Sequence, residues 1–134
     1  MKIVKVSCLA LYDDANNLFL QDRRNFRDNK GVLYGWWGGG TKENETPEQT
    51  LLREAKEELN IELNDFEFIG NFERPCREFI TDIDLFIAKA PKKFICEEGK
   101  PFRASIEEAR NLFNDSDIPM LNAVKEWLDK NVIC

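Results

Sequence analysis

The best-defined element of this sequence is a helix that directly follows a run of glycines. Thr46 is a favourable N-cap, Pro47 suits the first helical position, and Gln49 completes a Thr-x-x-Gln capping box. Asn60 stands where helices often end in a left-handed residue, a conformation that asparagine tolerates well. We therefore predict a helix over residues 47–59, which must bury one apolar stripe. This stripe consists of Leu51, Leu52, Ala55 and Leu59.

Three glutamates crowd the edge of this helix beside the apolar stripe. At 3.6 residues per turn, Glu54, Glu57 and Glu58 fall within an arc of ~100°. Like charges one turn apart destabilise a helix, and Arg53 relieves only part of this repulsion. A bound cation is the simplest compensation, and carboxylate oxygens favour Mg2+, with Mn2+ as a substitute, over zinc. The alternative interpretation is a charged helix face in contact with solvent.

The glycines before the helix have two interpretations. At Gly38, Gly39 and Gly40, backbone groups can approach a metal ion or a phosphate without obstruction by side chains. Taken alone, three glycines also indicate a flexible turn. Their position next to the acidic helix edge makes them candidates for a phosphate or metal site.

Histidine is absent from the chain, and this excludes several mechanisms. Serine or cysteine catalysis through an imidazole is ruled out, so acid–base chemistry must come from carboxylates, lysine, tyrosine or metal-bound water. The cysteines are far apart and form no C-x-x-C pair, so we expect reduced, mostly buried thiols and no zinc site. They are Cys8, Cys76, Cys96 and Cys134.

The chain carries 25 acidic and 19 basic residues, a net charge of −6. Its overall field does not attract nucleic acid or an anionic membrane, so we expect neither as a partner. Handling phosphates would require local arginines or a divalent cation. No apolar run approaches the ~20 residues of a membrane helix, and the N-terminus resembles a strand rather than a signal peptide. We expect a single domain over residues 1–134 in the cytoplasm.

The rest of the chain alternates irregularly between strand and helix patterns, which predicts an α/β fold with a mixed sheet and helices on both faces. Turn residues at 13–17 predict a hairpin between the first two strands. Predicted helices run from Ser105 to about Phe113 and onward from Asp117. The predicted strands cover residues 2–12, a segment beginning at Leu18, residues 66–72, 79–90 and 94–96.

Residues 39–61 resemble the Nudix box, G-x5-E-x7-R-E-U-x-E-E-x-G-U, where U is a bulky apolar residue. Six of its seven glycine or charged positions are kept. Asn60 replaces a glycine, Ala55 is small for its apolar position, and Trp37 stands where many members carry proline. The residues that match the pattern, departures included, are Gly39, Glu45, Arg53, Glu54, Ala55, Glu57, Glu58, Asn60 and Ile61.

The resemblance implies a three-layer α/β/α sandwich with a mixed sheet and a Mg2+ site, for which Mn2+ could substitute. It implies catalytic roles for Arg53, Glu54 and Glu58. Glu54 would be either a metal ligand or the base that activates water, and Arg53 would orient the glutamates. Gly39 and Glu45 would be structural, with Glu45 tying the loop to the helix. The implied metal ligands are the Gly38 carbonyl, Glu54, Glu57 and Glu58.

Weaker similarities to the MutT-type branch of the family imply further site residues. Arg23 or, by preference, Arg24 would contact phosphate at a strand end, and Glu98 in a loop would be another metal ligand. Asn122 would hydrogen-bond the base, and Trp36 would stack on it. The competing interpretations are solvated side chains for Arg23, Arg24 and Glu98, helix capping for Asn122 and core packing for Trp36.

The function that this resemblance implies is hydrolysis of a nucleoside triphosphate to nucleoside monophosphate and pyrophosphate. Oxidised purine nucleotides are among the candidate substrates. A second activity of the same class is hydrolysis of a nucleoside diphosphate linked to another group, such as ADP-ribose or a nucleotide sugar. Outside this class, two interpretations stay open: a nucleotide-binding module without activity, and an unrelated α/β domain with an acidic helix. We expect a monomer or homodimer whose partner is a small-molecule nucleotide.

Overall fold

A seven-stranded mixed sheet forms the centre of the computed structural model, which describes residues 2–75, 78–94 and 100–131. Three α-helices pack on the sheet within these residues, and a 3-10 turn at Asp115–Asp117 precedes the last of them. In chain order, the elements are β1 (Lys2–Tyr12), β2 (Leu18–Asp22), β3 (Tyr34–Gly35), β4 (Trp37–Gly40), α1 (Pro47–Leu59), β5 (Glu67–Pro75), β6 (Phe79–Lys89), β7 (Lys100–Ala104), α2 (Ile106–Leu112) and α3 (Ile118–Lys130).

Strand β1 is the centre of the sheet. It runs parallel to β6 along its whole length, from the pair Lys2 and Phe79 to the pair Tyr12 and Lys89. On its other side it pairs antiparallel with β4 and, further along, with β2. Strands β3 and β7 both pair with β2, and β5 pairs with β6. The pairing of β1 with β4 is what brings the glycine run beside the middle of the sheet.

Alternation along the strands gives each face of the sheet its own core, because successive side chains in a strand point to opposite faces. Helix α1 covers one face and helices α2 and α3 cover the other, so the predicted three-layer α/β/α architecture is confirmed. The core on the α1 face includes Leu9, Leu11, Trp37, Leu51, Ala55, Leu59, Phe86 and Ala88. The opposite core includes Ala10, Leu18, Leu20, Ile83, Leu85, Ile87, Met120, Leu121, Val124 and Leu128.

The predicted helix over residues 47–59 is confirmed at both ends, but Leu52 of its predicted apolar stripe is 39% exposed. The hydroxyl of Thr46 accepts from the Gln49 amide nitrogen, and the Gln49 side chain accepts from the Thr46 nitrogen, which completes the capping box. Asn60 has a φ of 53°, the left-handed conformation expected at this position. The hairpin of β1 and β2 and the helix beginning after Ser105 are also confirmed.

The strand predictions were incomplete in three places. Strands β3 and β4 occupy the segment from Tyr34 to Gly40, which is rich in aromatic residues and glycine and has no strand pattern. Strand β7 begins at Lys100, close to Glu98, where the sequence predicts a loop. Glycine has a low strand propensity, but pairing with β1 overrides it. Phe94 lies outside any strand, and Ile95 and Cys96 lie outside the described residues. Of the four cysteines only Cys8 is described, and it is a free thiol.

No helix among the described residues is both long and apolar enough to cross a membrane.

Candidate functional site

Arg53 on α1 clamps the loop that leads into the helix. Its Nε donates to Oε2 of Glu45 at 2.7 Å and its Nη2 donates to Oε1 at 3.0 Å, a bidentate ion pair. The Lys42 amide and the Thr50 hydroxyl also donate to Oε1 of Glu45. These bonds, above all those from Arg53, lower the pKa of Glu45 from 4.5 to about 2. The loop and the helix are thereby tied together, as predicted for Glu45.

The same guanidinium contacts two glutamates of the acidic edge, by which we mean Glu54, Glu57 and Glu58. Nη1 of Arg53 donates to Oε1 of Glu54 at 2.9 Å and to Oε2 of Glu57 at 3.4 Å. Nη2 donates to the carbonyl of Gly40 at 2.8 Å. Glu54 and Glu57 therefore face one common nitrogen, and Arg53 links the acidic edge to the glycine strand β4.

Glu58, the third member of the acidic edge, is a buried carboxylate in contact with the glycine strand. The residue is only 3% exposed. Its Oε1 accepts from the backbone nitrogen of Gly38 at 2.7 Å, and its Oε2 accepts from Nε2 of Gln21 at 3.0 Å. A charge this deeply buried needs such donors, since an unpaired buried carboxylate is very costly. The structure therefore brings Glu58 and Gly38 into direct contact through the Gly38 N–H, whereas the predicted ligand was the Gly38 carbonyl.

Two glycines of β4 leave no room for a side chain. Gly38 has a φ of +134°, and an added Cβ would collide with the Ser7 carbonyl and with Cα of Cys8. A Cβ on Gly39 would lie 2.5 Å from Oε1 and 2.6 Å from Cδ of Glu54. The carboxylate of Glu54 thus occupies the space beside Gly39 that a side chain would fill. A side chain at residue 39 would therefore displace the Glu54 carboxylate.

A cavity of about 310 Å³ reaches the same two glycines. Its described lining includes three cationic side chains, Arg23, Lys30 and Arg74, and no carboxylate. The whole chain has a net charge of −6, so the positive charge of the cavity lining is opposite in sign to that of the protein. Gly38 and Gly39 therefore contact both a cationic cavity and the acidic edge. The apolar part of the lining comes mainly from Val4, Val6, Val32, Trp36 and Phe79.

Arg74 is held in the cavity wall by a buried carboxylate. Its Nε donates to Oδ1 of Asp117 at 2.8 Å, and the Asp117 side chain is only 3% exposed. No local sequence pattern indicates either role, because Arg74 at the end of β5 and Asp117 before α3 are 43 residues apart. Burial also raises the pKa of the nearby Cys8 thiol to about 12, so this cysteine stays protonated at neutral pH.

Comparison with known proteins shows the family of this chain. The family model of the NUDIX domain matches residues 1–126. The chain belongs to the NUDIX family. The 8-oxo-dGTP diphosphatase of Proteus vulgaris is 36% identical to it over 62 residues, 46% of this chain and 54% of that protein. The chain thus spans about half the length of this curated relative.

Two solved structures share the fold. The ORF135 protein of E. coli superposes with a TM-score of 0.78 at 23% identity, covering 100% of this chain and 96% of that one. The MutT protein of Methanosarcina mazei Go1 superposes with a TM-score of 0.77 at 14% identity, covering 98% and 97%. At these identities the likeness shows the fold alone.

Of the two arginines at the end of β2, Arg23 lines the cavity of this Nudix protein. Its guanidinium lies 4.7 Å above the Phe26 ring, and its Nη1 donates to Oε1 of Gln21 at 3.0 Å. Arg24, our preferred candidate, is more exposed and pairs with both oxygens of Asp22. Of the two arginines, the structure therefore places Arg23 in the cavity wall and not the preferred Arg24.

The remaining predicted substrate contacts lie in different places. Trp36 lines the cavity but is only 7% exposed, because it packs tightly and makes an edge-on contact with Phe113 at 5.0 Å. Asn122 is exposed on α3, accepts from Arg110 and is not among the described cavity-lining residues. Glu98 lies outside the described residues. The substrate role of Asn122 and the metal role of Glu98 stay predictions.

The acidic edge fits a divalent cation in its donor chemistry. It offers carboxylate oxygens alone, the ligands that Mg2+ prefers, beside glycines that leave the backbone accessible. In the structure these carboxylates instead bind the N–H groups of Arg53, Gly38 and Gln21. Across residues 2–75, 78–94 and 100–131, no three histidine, cysteine, aspartate or glutamate side chains converge as a metal-binding group. The metal site therefore stays a prediction, supported by the donor set.

Proposed function

We propose that this Nudix protein is a Mg2+-dependent pyrophosphohydrolase that cleaves a nucleoside triphosphate to nucleoside monophosphate and pyrophosphate. One observation carries the proposal. A cationic cavity and an acidic helix edge meet at the same two glycines, Gly38 and Gly39. An anionic substrate in the cavity would thus bring its phosphates next to the carboxylates. In this arrangement the cationic cavity would bind the substrate, and the acidic edge would hold the cation.

The acidic edge would hold the cation through the carboxylates of Glu57 and Glu58, with Mn2+ as a substitute for Mg2+. When bound there, the cation neutralises the diphosphate and lowers the pKa of water. Glu57 is the most available glutamate of the acidic edge, because its side chain is 54% exposed and its Arg53 contact is long. Glu58 is the most rigid, since Gly38 and Gln21 fix its two oxygens.

The cavity residues would bind the substrate. Arg23 and Arg74 present guanidinium donors, which suit phosphate oxygens and the acceptor atoms of a base. Arg74 is preoriented because Asp117 holds its Nε, so less freedom is lost when a ligand binds. Gly38 and Gly39 let the phosphate chain approach the strand closely.

The chemical step is attack of a water oxygen on a phosphorus of the triphosphate, with cleavage of a bridging P–O bond and departure of pyrophosphate. Glu54 would accept the proton of the attacking water. Its carboxylate lies against Gly39 and is held by Nη1 of Arg53. A carboxylate base is required here because the chain has no histidine. The Proteus vulgaris relative, named for 8-oxo-dGTP, places oxidised purine nucleotides first among the substrates to test.

The test is a nucleotide panel with Mg2+, with phosphate and pyrophosphate release measured and the products identified by mass spectrometry. The panel includes nucleoside triphosphates, their oxidised forms, ADP-ribose and nucleotide sugars. We expect a triphosphate to yield monophosphate and pyrophosphate. Glu54→Gln and Glu58→Gln should each lower kcat at least ~100-fold, equal to about 2.7 kcal/mol of barrier. Glu54→Gln keeps the test decisive if Glu58→Gln unfolds.

The control is Glu62→Gln, which removes one charge just beyond α1 from a side chain that is 82% exposed. Its kcat should stay within twofold of the wild-type value. Turnover only of ADP-ribose or a nucleotide sugar would replace the proposed substrate class. Near-wild-type rates in both folded glutamate variants would refute the assigned site.

A further inference from the structure

We propose that Gln21 is a positioning residue whose amide sets the carboxylate of Glu58 in its working orientation. The inference rests on the proposed function, because it assigns Gln21 a task in that same site. Gln21 does not line the cavity among the described residues. It would act through Glu58, while Arg23 binds the other end of its amide.

The alternation of side chains along β2 places Gln21 on the face of the sheet that α1 covers. Leu18 and Leu20 of β2 belong to the core on the α2 and α3 face, while Phe19 packs with the core under α1. Since side chains alternate along a strand, Gln21 lies on the α1 face with Phe19. It is 1% exposed, at a position where an apolar residue would ordinarily pack. A buried polar side chain at a core position needs hydrogen-bond partners.

The partners of Gln21 fix the orientation of its amide. Nε2 donates to Oε2 of Glu58, and Oε1 accepts from Nη1 of Arg23, both at 3.0 Å. Rotating the amide by 180° would set its carbonyl against a carboxylate and its NH2 group against a guanidinium. Both contacts would be repulsive, so only one orientation is stable. Arg23 therefore locks the donor end of Gln21 onto Glu58.

The Gln21 amide donates one of the hydrogen bonds that hold the carboxylate of Glu58. The backbone of Gly38 holds one carboxylate oxygen at 2.7 Å and Gln21 holds the other. Each carboxylate oxygen can accept more than one interaction, so these bonds do not prevent cation binding. Hydrogen bonds to a ligating carboxylate orient it, and their loss typically reduces metal affinity or activity about 10–100-fold. Arg23, Gln21 and Glu58 also form a polarised chain, in which each bond strengthens the next.

The test compares Gln21→Met with wild type. Methionine keeps the length of the side chain and removes both hydrogen bonds. We expect the Mn2+ dissociation constant, measured by electron paramagnetic resonance of the free ion, to rise at least ~10-fold. In the assay, kcat should fall at least ~10-fold because Glu58 is misplaced. KM should rise as well, because Gln21 also holds Arg23 of the cavity wall, so the Mn2+ dissociation constant is the measurement that isolates the effect on Glu58.

The matched control is Leu20→Val, which lies next to Gln21 on the same strand but faces the opposite core. It should lower the melting temperature while leaving Mn2+ affinity and kcat within twofold of wild type. Values for Gln21→Met within twofold of wild type would overturn the proposal, because the residue would then be structural. A different outcome separates the two proposals. If wild-type protein hydrolyses no nucleotide of the panel but Gln21→Met binds Mn2+ more weakly, the proposed function is refuted and the role of Gln21 stands.

Discussion

Gly38 is the residue on which the site depends most directly. Its φ of +134° lies where side chains are strained, and the backbone of Ser7 and Cys8 fills the place of a Cβ. Its nitrogen also holds Glu58. One glycine thus sets the spacing of β1 and β4 and the position of a buried carboxylate.

Gly38→Ala should lower the free energy of unfolding by more than about 2 kcal/mol, because backbone strain and overpacking add together. Gly40→Ala is the matched control. Among the residues that the structure describes, its Cβ would meet only the Lys5 carbonyl, at 4.0 Å, so its effect should stay within about 0.5 kcal/mol. Urea unfolding measures both. Equal, small effects of the two substitutions would show that the strand adapts to a side chain at residue 38.

Single residues were the hardest to place from the sequence. The spacing of Glu45, Arg53 and Glu58 was sufficient to find them, because all three belong to one loop–helix segment. Arg23 and Arg24 differ by one position, and the sequence does not say which of them turns inward. Gln21 was missed, although its alternation with Leu20 was a usable signal for the α1 face.

Helix α1 and its leading loop act as one element because of the ion pair between Arg53 and Glu45. The guanidinium binds both oxygens of Glu45 and the Gly40 carbonyl, so loop, helix and strand meet at one side chain. The pKa of Glu45 is lowered to about 2 by this contact. A carboxylate with a lowered folded-state pKa stabilises the fold above its unfolded pKa, and this contribution is lost as pH falls through the folded value.

Glu45→Gln should therefore lower the melting temperature at pH 7, and the deficit should shrink as pH falls from 4.5 towards 2. Thermal unfolding of both proteins across this range measures it. Glu107→Gln, an exposed glutamate 3.9 Å from its arginine partner, should show a much smaller difference. A deficit for Glu45→Gln that stays constant from pH 7 to pH 2 would contradict the ion-pair explanation.

Elements with strong local signals were predicted well. Helix α1 has a capping box, an apolar stripe and a left-handed cap, and its predicted bounds match the structure. Strands β4 and β7 lack such signals, since one is glycine-rich and the other contains Pro101. Both exist because long-range pairing with β1 and β2 outweighs local preference. Pairing of this kind cannot be read from a local pattern.

At the scale of the whole molecule, the fold forms a cationic cavity and a separate acidic helix edge within a protein of negative net charge. The cationic cavity forms where β1, β4, β5 and β6 meet the segment after β2, while the acidic edge belongs to α1 alone. The sequence predicted the acidic edge because it is local. It could not predict the cavity, since Arg23, Arg74 and Asp117 converge only when the sheet and α3 are assembled.

The most direct test of a cation site on α1 is a calorimetric titration with Mn2+, competed by Mg2+. Glu57→Gln is the cleanest variant, because this side chain is 54% exposed and its removal should leave the fold intact. Glu62→Gln removes the same charge from a side chain that is 82% exposed. We expect Glu57→Gln to weaken Mn2+ binding at least ~10-fold and Glu62→Gln to leave it within twofold, because Glu57 would be a ligand and Glu62 would not. Equal affinities in the two variants would contradict the assignment of the acidic edge as a metal site.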